Sequence, residues 1–379
     1  MVRHLFALCA ALLLAGGAAA QTSPPPPMAA RAWLLLDHAT GQILAGHNAD
    51  ERAEPASLTK LMTAYLTFAA LREGRLKPDQ IVPVSESAWA RSNRGGSLMF
   101  IDPKTPVTVD QLIHGMIIQS GNDACIALAE AIAGTEAQFV AMMNREAKRL
   151  GLANTSFANA TGLSAPDHYA SAADLARLTQ ALIRDFPDYY PIYAKREYTY
   201  NRITQSNRNR LLWLPDAFVD GVKTGHTSSA GYCLVASSKR GARRLISVVL
   251  GTASEDARAR ESLALLNWGF LAFDAVKLYD KGQAISELKV YKGERGTVRA
   301  GFDEDLVLSM PKGLADKLKL GIESRQPLLA PIAKGSRIAT LKLTLDGKPF
   351  GEYPVVALDE VPLAGVIGRT WDSIRLWFK

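Results

Sequence analysis

Apolar and polar positions divide the chain into stretches of different period. Ala32-Trp33-Leu34-Leu35-Leu36 is a continuous apolar run, the pattern of a buried strand, and Gln42 to Ala45 returns after a turn at Asp37–Gly41. From Ser57 to Leu71, apolar Leu58, Leu61, Met62, Tyr65, Leu66 and Ala69 predict a helix that stops before Gly74. Gln111 to Ile132 has helical character, broken by Ser120-Gly121-Asn122. Thr135 and Gln138 form a capping box for a helix that runs to Leu150, and Ser171 opens another. Val219–Lys223, Gly231–Ser237 and Leu245–Leu250 read as strands, with a turn at Ser238–Gly241, and Arg258–Phe273 as a helix. Strands that open and close a region of helices predict an α+β fold with one antiparallel sheet.

From Lys277 the pattern becomes all-β. Leu341, Leu343 and Leu345 alternate with polar residues, Asp346-Gly347 turns the chain, and Tyr353–Ala357 returns it. The last residues change again. In a helix, Leu363, Ile367, Thr370, Trp371, Ile374, Trp377 and Phe378 share one face, while Arg369, Asp372, Arg375 and Lys379 lie opposite and Leu376 is misplaced. An aromatic face backed by positive charge suits an interfacial helix on an anionic membrane surface; the alternative is a helix packed on its own domain.

The two ends add a location. Arg3 and His4 precede an uncharged run from Leu5 to Ala20 that ends in Ala18-Ala19-Ala20. This is the layout of a signal peptide cut after Ala20, against an uncleaved anchor. The expected organisation is therefore a signal peptide at 1–20, a Pro-rich linker at 21–30, a main domain at 31–276, a small β-rich domain at 277–362 and an amphipathic membrane-anchoring helix at 363–379. It implies export to the periplasmic face of the cytoplasmic (inner) membrane as a peripheral protein.

Composition excludes some classes. The 379 residues are 48% hydrophobic and 21% charged, which is ordinary for globular domains. The excess of 44 Lys and Arg over 37 Asp and Glu is small, and no block of like charge or aromatic–basic interleaving signals nucleic acid. Cys9 falls in the leader. Cys125 and Cys233 are expected as buried thiols, although an exported chain permits a disulfide. His38, His47, His114 and His168 show no metal-binding spacing, so no metal or other cofactor is expected.

Three short motifs carry candidate chemistry. In Ser57-Leu58-Thr59-Lys60 the two polar ends lie three apart, on one face of a helix. A hydroxyl becomes a useful nucleophile when a base removes its proton, and a lysine is that base only if burial or a nearby cation lowers its pKa. Ser120-Gly121-Asn122 could offer a hydroxyl for proton relay and an amide for a substrate peptide. Lys223-Thr224-Gly225 sits on or at the end of a strand, where Lys223 and Thr224 could hold a carboxylate and Gly225 lets a ligand approach. A second Ser-x-x-Lys, Ser286 to Lys289, lies in the β-rich region and reads as solvated strand or turn. Each motif alone is common. Their order, Ser-x-x-Lys then Ser-Gly-Asn then Lys-Thr-Gly, resembles the signature of class A β-lactamases and penicillin-binding proteins, whose second element is of the Ser-Asp-Asn type.

With its flanks, Pro55 to Thr63, Ser120 to Ala124 and Asp220 to Thr227, the chain resembles the low-molecular-mass penicillin-binding proteins that act as serine D-alanyl-D-alanine carboxypeptidases. The likeness continues through Asn267-Trp268-Gly269-Phe270 to the C-terminal helix. It implies a β-lactamase/transpeptidase-like domain and an enzyme that trims the terminal D-alanine from a peptidoglycan pentapeptide stem through an acyl-enzyme, with β-lactam antibiotics as covalent inhibitors. By the resemblance Ser57 is the nucleophile and Lys60 its general base. Ser120, Asn122 and Lys223 complete the catalytic set. Thr224, Gly225, His226, Arg208 and Arg258 bind substrate, with the backbone N–H groups of Ser57 and His226 as the oxyanion hole. Competing readings are a D,D-endopeptidase of the same family, a class A-like β-lactamase, which needs a further glutamate between the second and third motifs, and a non-catalytic wall-binding scaffold.

Overall fold

A computed structural model describes residues 24–90 and 96–377. The expected leader at 1–20, the first residues of the linker, and Phe378 and Lys379 lie outside the described residues. Five strands build the main sheet: β1 (Ala32–Asp37), β2 (Ile43–His47), β3 (Val219–Thr227), β4 (Gly231–Arg240) and β5 (Arg243–Thr252). Their order is β2-β1-β5-β4-β3, every neighbour antiparallel, with Leu35 opposite Ser247 and Lys223 opposite Val235.

β1 is buried along its whole length because both of its faces are covered. Leu34 and Leu36 enter the large core shared with Leu61, Tyr65 and Phe68, whereas Trp33 and Leu35 pack with Leu265 and Leu266. That two-sided burial explains its unbroken apolar run. The helices over the first face are α1 (Lys60–Arg72), α2 (Val109–His114), α3 (Asn122–Ala133), α4 (Glu136–Arg149) and α5 (Ala172–Asp185); the second face is covered by α6 (Glu255–Ala272). α1 is buried nearly all round, so it is the axle of the domain.

Helix boundaries follow side-chain caps. Ser171 and Ser254 accept the N–H groups of Asp174 and Ala257, which starts α6 at Glu255 rather than at Arg258. At Thr135 the hydroxyl caps Gln138 N–H. The full reciprocal box is at Thr108 and Gln111, which opens α2 at Val109, ahead of the expected Gln111. Ser57 does not stand in the α-helix proper: Ala56–Thr59 is a 3₁₀ turn and α1 begins at Lys60.

The β-rich part begins at Phe273 rather than Lys277, since Phe273–Tyr279 already pairs antiparallel with Leu306–Pro311. A six-stranded sheet follows. In it Arg337–Leu345 and Lys348–Ala357 form the expected hairpin around Asp346-Gly347, both with positive φ, and Leu341 and Leu343 point into its core. Ser286 and Lys289 lie on a strand, where residues three apart face opposite sides. The two parts are pinned at Ser309, whose hydroxyl bonds Asp37 and receives Arg243 Nη2 at 3.1 Å.

The C-terminal helix α7 spans Val366–Trp377; Leu363 precedes it and forms a bridge with Gly293. Asp372 Oδ2 accepts the N–H of Lys292 at 2.6 Å, and Leu376, one turn on, is half-buried. The leucine that looked misplaced therefore shares the side that meets the protein. Trp371 and Trp377 stay exposed, at 58% and 88%.

Candidate active site

The first turn of α1 and the strap before it present Ser57 at the floor of a hollow of about 380 Å³. Ser120, Asn122, Arg208, Thr224, Gly225, His226 and Arg258 line the same hollow, with Thr161–Leu163 and Gly96-Ser97 completing its rim. Lys60 and Lys223 lie in its walls, 1% and 3% exposed.

Lys60 is the hub. Its Nζ lies 3.0 Å from Ser57 Oγ, 2.7 Å from Asn122 Oδ1 and 2.6 Å from the carbonyl oxygen of Thr161. Burial pushes its pKa below the ordinary lysine value, and the guanidinium of Arg208 pushes the same way. A neutral amine has two N–H donors and one lone pair. Asn122 and Thr161 each accept from Nζ, so an amine that gives up its proton keeps its lone pair toward Ser57 Oγ. A base oriented in that way is what Ser57 requires to become a nucleophile.

Ser120 stands where a π-helical turn, Gly115–Gln119, ends and α3 begins. Its φ of 63° is left-handed, and its buried Oγ makes no hydrogen bond among the described residues. Strain and an unpartnered buried hydroxyl at one residue single out Ser120 as a candidate for ligand contact. Neighbouring Asp123 holds the rim in place, accepting N–H groups from Met99, Phe100 and Ile101 at 3.0, 2.8 and 3.2 Å.

β3 forms the opposite wall and is the edge of the sheet, so among the described residues no strand pairs along its outer side, where an extended peptide could add. Lys223 is held well below the ordinary lysine value, first by burial and then by Lys60 and Arg208. His226 is exposed and stacks on Tyr232 at 4.0 Å. Arg258 reaches up from α6, donating to the carbonyl of Gly225 at 3.2 Å, with Glu255 beside it at 3.3 Å. Arg208 is exposed on the rim.

Close backbone approach needs two glycines. A Cβ on Gly162, whose φ is +90°, would lie 1.8 Å from the Ala56 carbonyl oxygen, and one on Gly225 3.0 Å from that of Pro55. Several parts of the site lie outside the three motifs. The Thr161 carbonyl is set by a turn in which Asn159 Oδ1 accepts the N–H groups of Thr161 and Gly162 at 3.1 and 2.7 Å. Asn159-Ala160-Thr161-Gly162 was the available signal, an Asx turn ending in glycine. Behind the site His168 bonds Thr59 at 2.7 Å, and burial lowers its pKa to about 4.

Cys125 and Cys233 are separate buried thiols; burial pushes Cys125 up to about 12, so it is no nucleophile at neutral pH. Among the described residues no group of His, Cys, Asp and Glu side chains could hold a metal ion.

Residues 19–254 match the profile of the D-alanyl-D-alanine carboxypeptidase peptidases, and residues 273–363 that of the penicillin-binding protein 5 C-terminal domain. The chain belongs to the D-alanyl-D-alanine carboxypeptidase family. It is 44% identical to D-alanyl-D-alanine carboxypeptidase DacC of Escherichia coli over 353 residues, covering 92% of this chain and 88% of that protein. DacA of Haemophilus influenzae is 42% identical over 354 residues, covering 93% and 90%. In three dimensions the chain is similar to penicillin-binding protein 5 from Haemophilus influenzae, with a TM-score of 0.84, 42% identity, and coverage of 90% of this chain and 99% of that one. Penicillin-binding protein D2 from Listeria monocytogenes, solved in an ampicillin-bound form, matches the main domain: TM-score 0.60, 31% identity, 65% of this chain and all of that one. Penicillin-binding protein 5 from Haemophilus influenzae is matched along nearly its whole length, so the likeness takes in both the transpeptidase-like domain and the β-rich domain described above.

Proposed function

We propose that this serine-type D-alanyl-D-alanine carboxypeptidase works through Ser57 as nucleophile and Lys60 as general base. The observation that carries the assignment is the buried Lys60 amine, whose Nζ lies 3.0 Å from Ser57 Oγ while it donates to Asn122 Oδ1 and the Thr161 carbonyl.

The substrate is the end of a peptidoglycan pentapeptide stem, laid along the open edge of β3. Ser57 Oγ attacks the carbonyl carbon between the two D-alanines and its proton passes to Lys60. The N–H groups of Ser57 and His226 hold the oxyanion, the term that contributes most in acyl transfer. The C–N bond then breaks, the proton goes to the departing amine through Lys60 and the Ser120 hydroxyl, and an ester on Ser57 remains. Asn122 Nδ2 and the Lys223–Gly225 edge hold the stem, while Thr224, Arg208 and Arg258 attract the terminal carboxylate. Water hydrolyses the ester with Lys60 again as base. Among the described residues that line the hollow, those between the second and third motifs are Thr161, Gly162, Leu163 and Arg208, with no glutamate to position water as a class A β-lactamase requires. A β-lactam acylates Ser57 in the same way and stays.

The exposed Trp371 and Trp377 on a terminal amphipathic helix support attachment to an anionic membrane surface. Together with the basic and apolar start of the sequence, they support export and a peripheral place on the periplasmic face of the cytoplasmic membrane.

Mass spectrometry of a pentapeptide stem incubated with wild type and Ser57→Ala tests the assignment. Loss of one D-alanine in the wild type alone, and a penicillin adduct on the peptide containing position 57, are the expected results. Release of monomers from a cross-linked dimer, with the pentapeptide untouched, would make it an endopeptidase instead.

A further inference from the structure

Three residues ahead of Ser57, the Glu54 carboxylate gathers three hydroxyl groups on a single oxygen. Ser164, Ser229 and Thr227 lie 2.6, 2.7 and 3.3 Å from Glu54 Oε2. The donors come from different walls of the hollow. Ser164 directly follows Thr161–Leu163, the segment whose carbonyl orients Lys60; Thr227 ends β3 just past His226, and Ser229 lies in the turn that follows. Between the walls runs the strap Pro55-Ala56-Ser57. Ala56 has a φ of 48°, a left-handed conformation uncommon for alanine, and Gly162 and Gly225 press on the carbonyls of Ala56 and Pro55 from either side. The hydrogen bonds hold Glu54 below the ordinary carboxylate range, so at neutral pH it is an anion able to accept all three.

We propose that Glu54 is a positioning residue that ties both walls of the cleft and the nucleophile strap into one frame, fixing how Ser57 approaches the bound carbonyl. Among the described residues its side-chain hydrogen bonds go to Ser164, Ser229 and Thr227, not to Ser57 or Lys60. It acts through the strap and through the Thr161 segment. The inference rests on Ser57 being the acylated residue. A frame of this kind governs the rate of bond formation in the bound complex more than it governs binding, because small errors of approach cost rate steeply. A purely structural tie would instead change the folded fraction and leave the rate per folded molecule alone.

The test is acylation of the full chain by a fluorescent penicillin across a concentration range, separating the maximal rate from the half-saturating concentration. Melting temperature and active-site titration run beside it. Glu54→Ala is expected to lower the maximal rate per active site about tenfold, with half-saturation within about twofold. Glu54→Gln, which keeps a carbonyl acceptor, recovers most of that rate. The double variant Ser164→Ala/Ser229→Ala, which leaves the carboxylate in place, reproduces the loss, and adding Glu54→Ala to it costs little more, as groups acting in one unit do. The proposal is overturned if Glu54→Ala acylates at the wild-type rate per folded site, or if the losses of the two variants simply multiply. If Glu54→Ala does not fold, the glutamine and double-serine variants decide on the same readout. A folded wild type that penicillin does not label at all would overturn the Ser57 assignment rather than the frame.

Discussion

Lys60 Nζ and Asn122 Oδ1 are 2.7 Å apart although 62 residues separate them in sequence. The contact joins the first turn of α1 to the start of α3 and engages one of the donors of the Lys60 amine. Asn122 thereby aims the base. Lys60→Ala is expected to lower acylation by penicillin by about 10²–10⁴-fold, the range for a lost general base, with circular dichroism unchanged. Labelling of that variant at the wild-type rate would remove Lys60 from the role.

The pH dependence follows from burial. Lys60 acts as a base when neutral, and its pKa lies below the ordinary lysine value of 10.5. The second-order acylation constant should therefore rise with pH and level off before pH 10.5. A limb that is still rising there would contradict a desolvated Lys60.

Stability should fall in acid for a different reason. His38 and His168 are lowered from 6.5 to about 4 by burial. Between pH 6.5 and 4 the unfolded chain binds protons at these positions and the folded chain does not, so unfolding gains ground as pH drops. The contribution is full above 6.5 and exhausted below 4, and for His168 it is at most about 3 kcal/mol. Melting curves across that window should show the loss, and His168→Asn should flatten it.

Arg258 is buried, bonds the Gly225 carbonyl and faces the hollow. As a partner for the terminal carboxylate it contributes a charge-assisted hydrogen bond of about 1.5–3 kcal/mol. Arg258→Ala should then lower kcat/KM for the free-acid peptide by about 10–100-fold. A C-terminally amidated peptide, turned over poorly by the wild type, should be indifferent to the substitution. An equal loss on both peptides would point to packing.

Removal of everything after Pro362 should leave a soluble, active enzyme. The full chain should sediment with anionic lipid vesicles and come off as salt rises, since part of the attraction is electrostatic. Truncated protein that still pellets with vesicles would rule out α7 as the anchor.

Much of this was readable from residue patterns, and the exceptions have physical reasons. The main strands and helices announced themselves by period, and Ser57, Lys60, Ser120 and Asn122 by short spacings on local turns. The Thr161 carbonyl left no such trace, because a backbone acceptor has no identity in the sequence and acquires a role through its Asx turn alone. The break before Ser120 was visible, but not that a π-helical turn precedes it, since Met116, Ile117 and Ile118 are apolar in any helical register. The domain boundary shifted to Phe273 because that residue ends the apolar pattern of α6 and also starts a strand. Leu376 looked misplaced only until Asp372 was seen to dock on Lys292.

The order of strands in the main sheet has a bearing on when the chemistry becomes available. β1, near the beginning of the chain, finds its inner partner in β5, more than 200 residues later, and β3 closes the edge beside the nucleophile only through β4. Such distant pairings form late, because long loops must close before they are rewarded. A growing or unfolded chain therefore carries an ordinary serine and an ordinary, charged lysine. Reactivity is therefore expected only once the sheet is complete, and antibiotic labelling of a refolding sample should follow completion of that sheet rather than the appearance of helices.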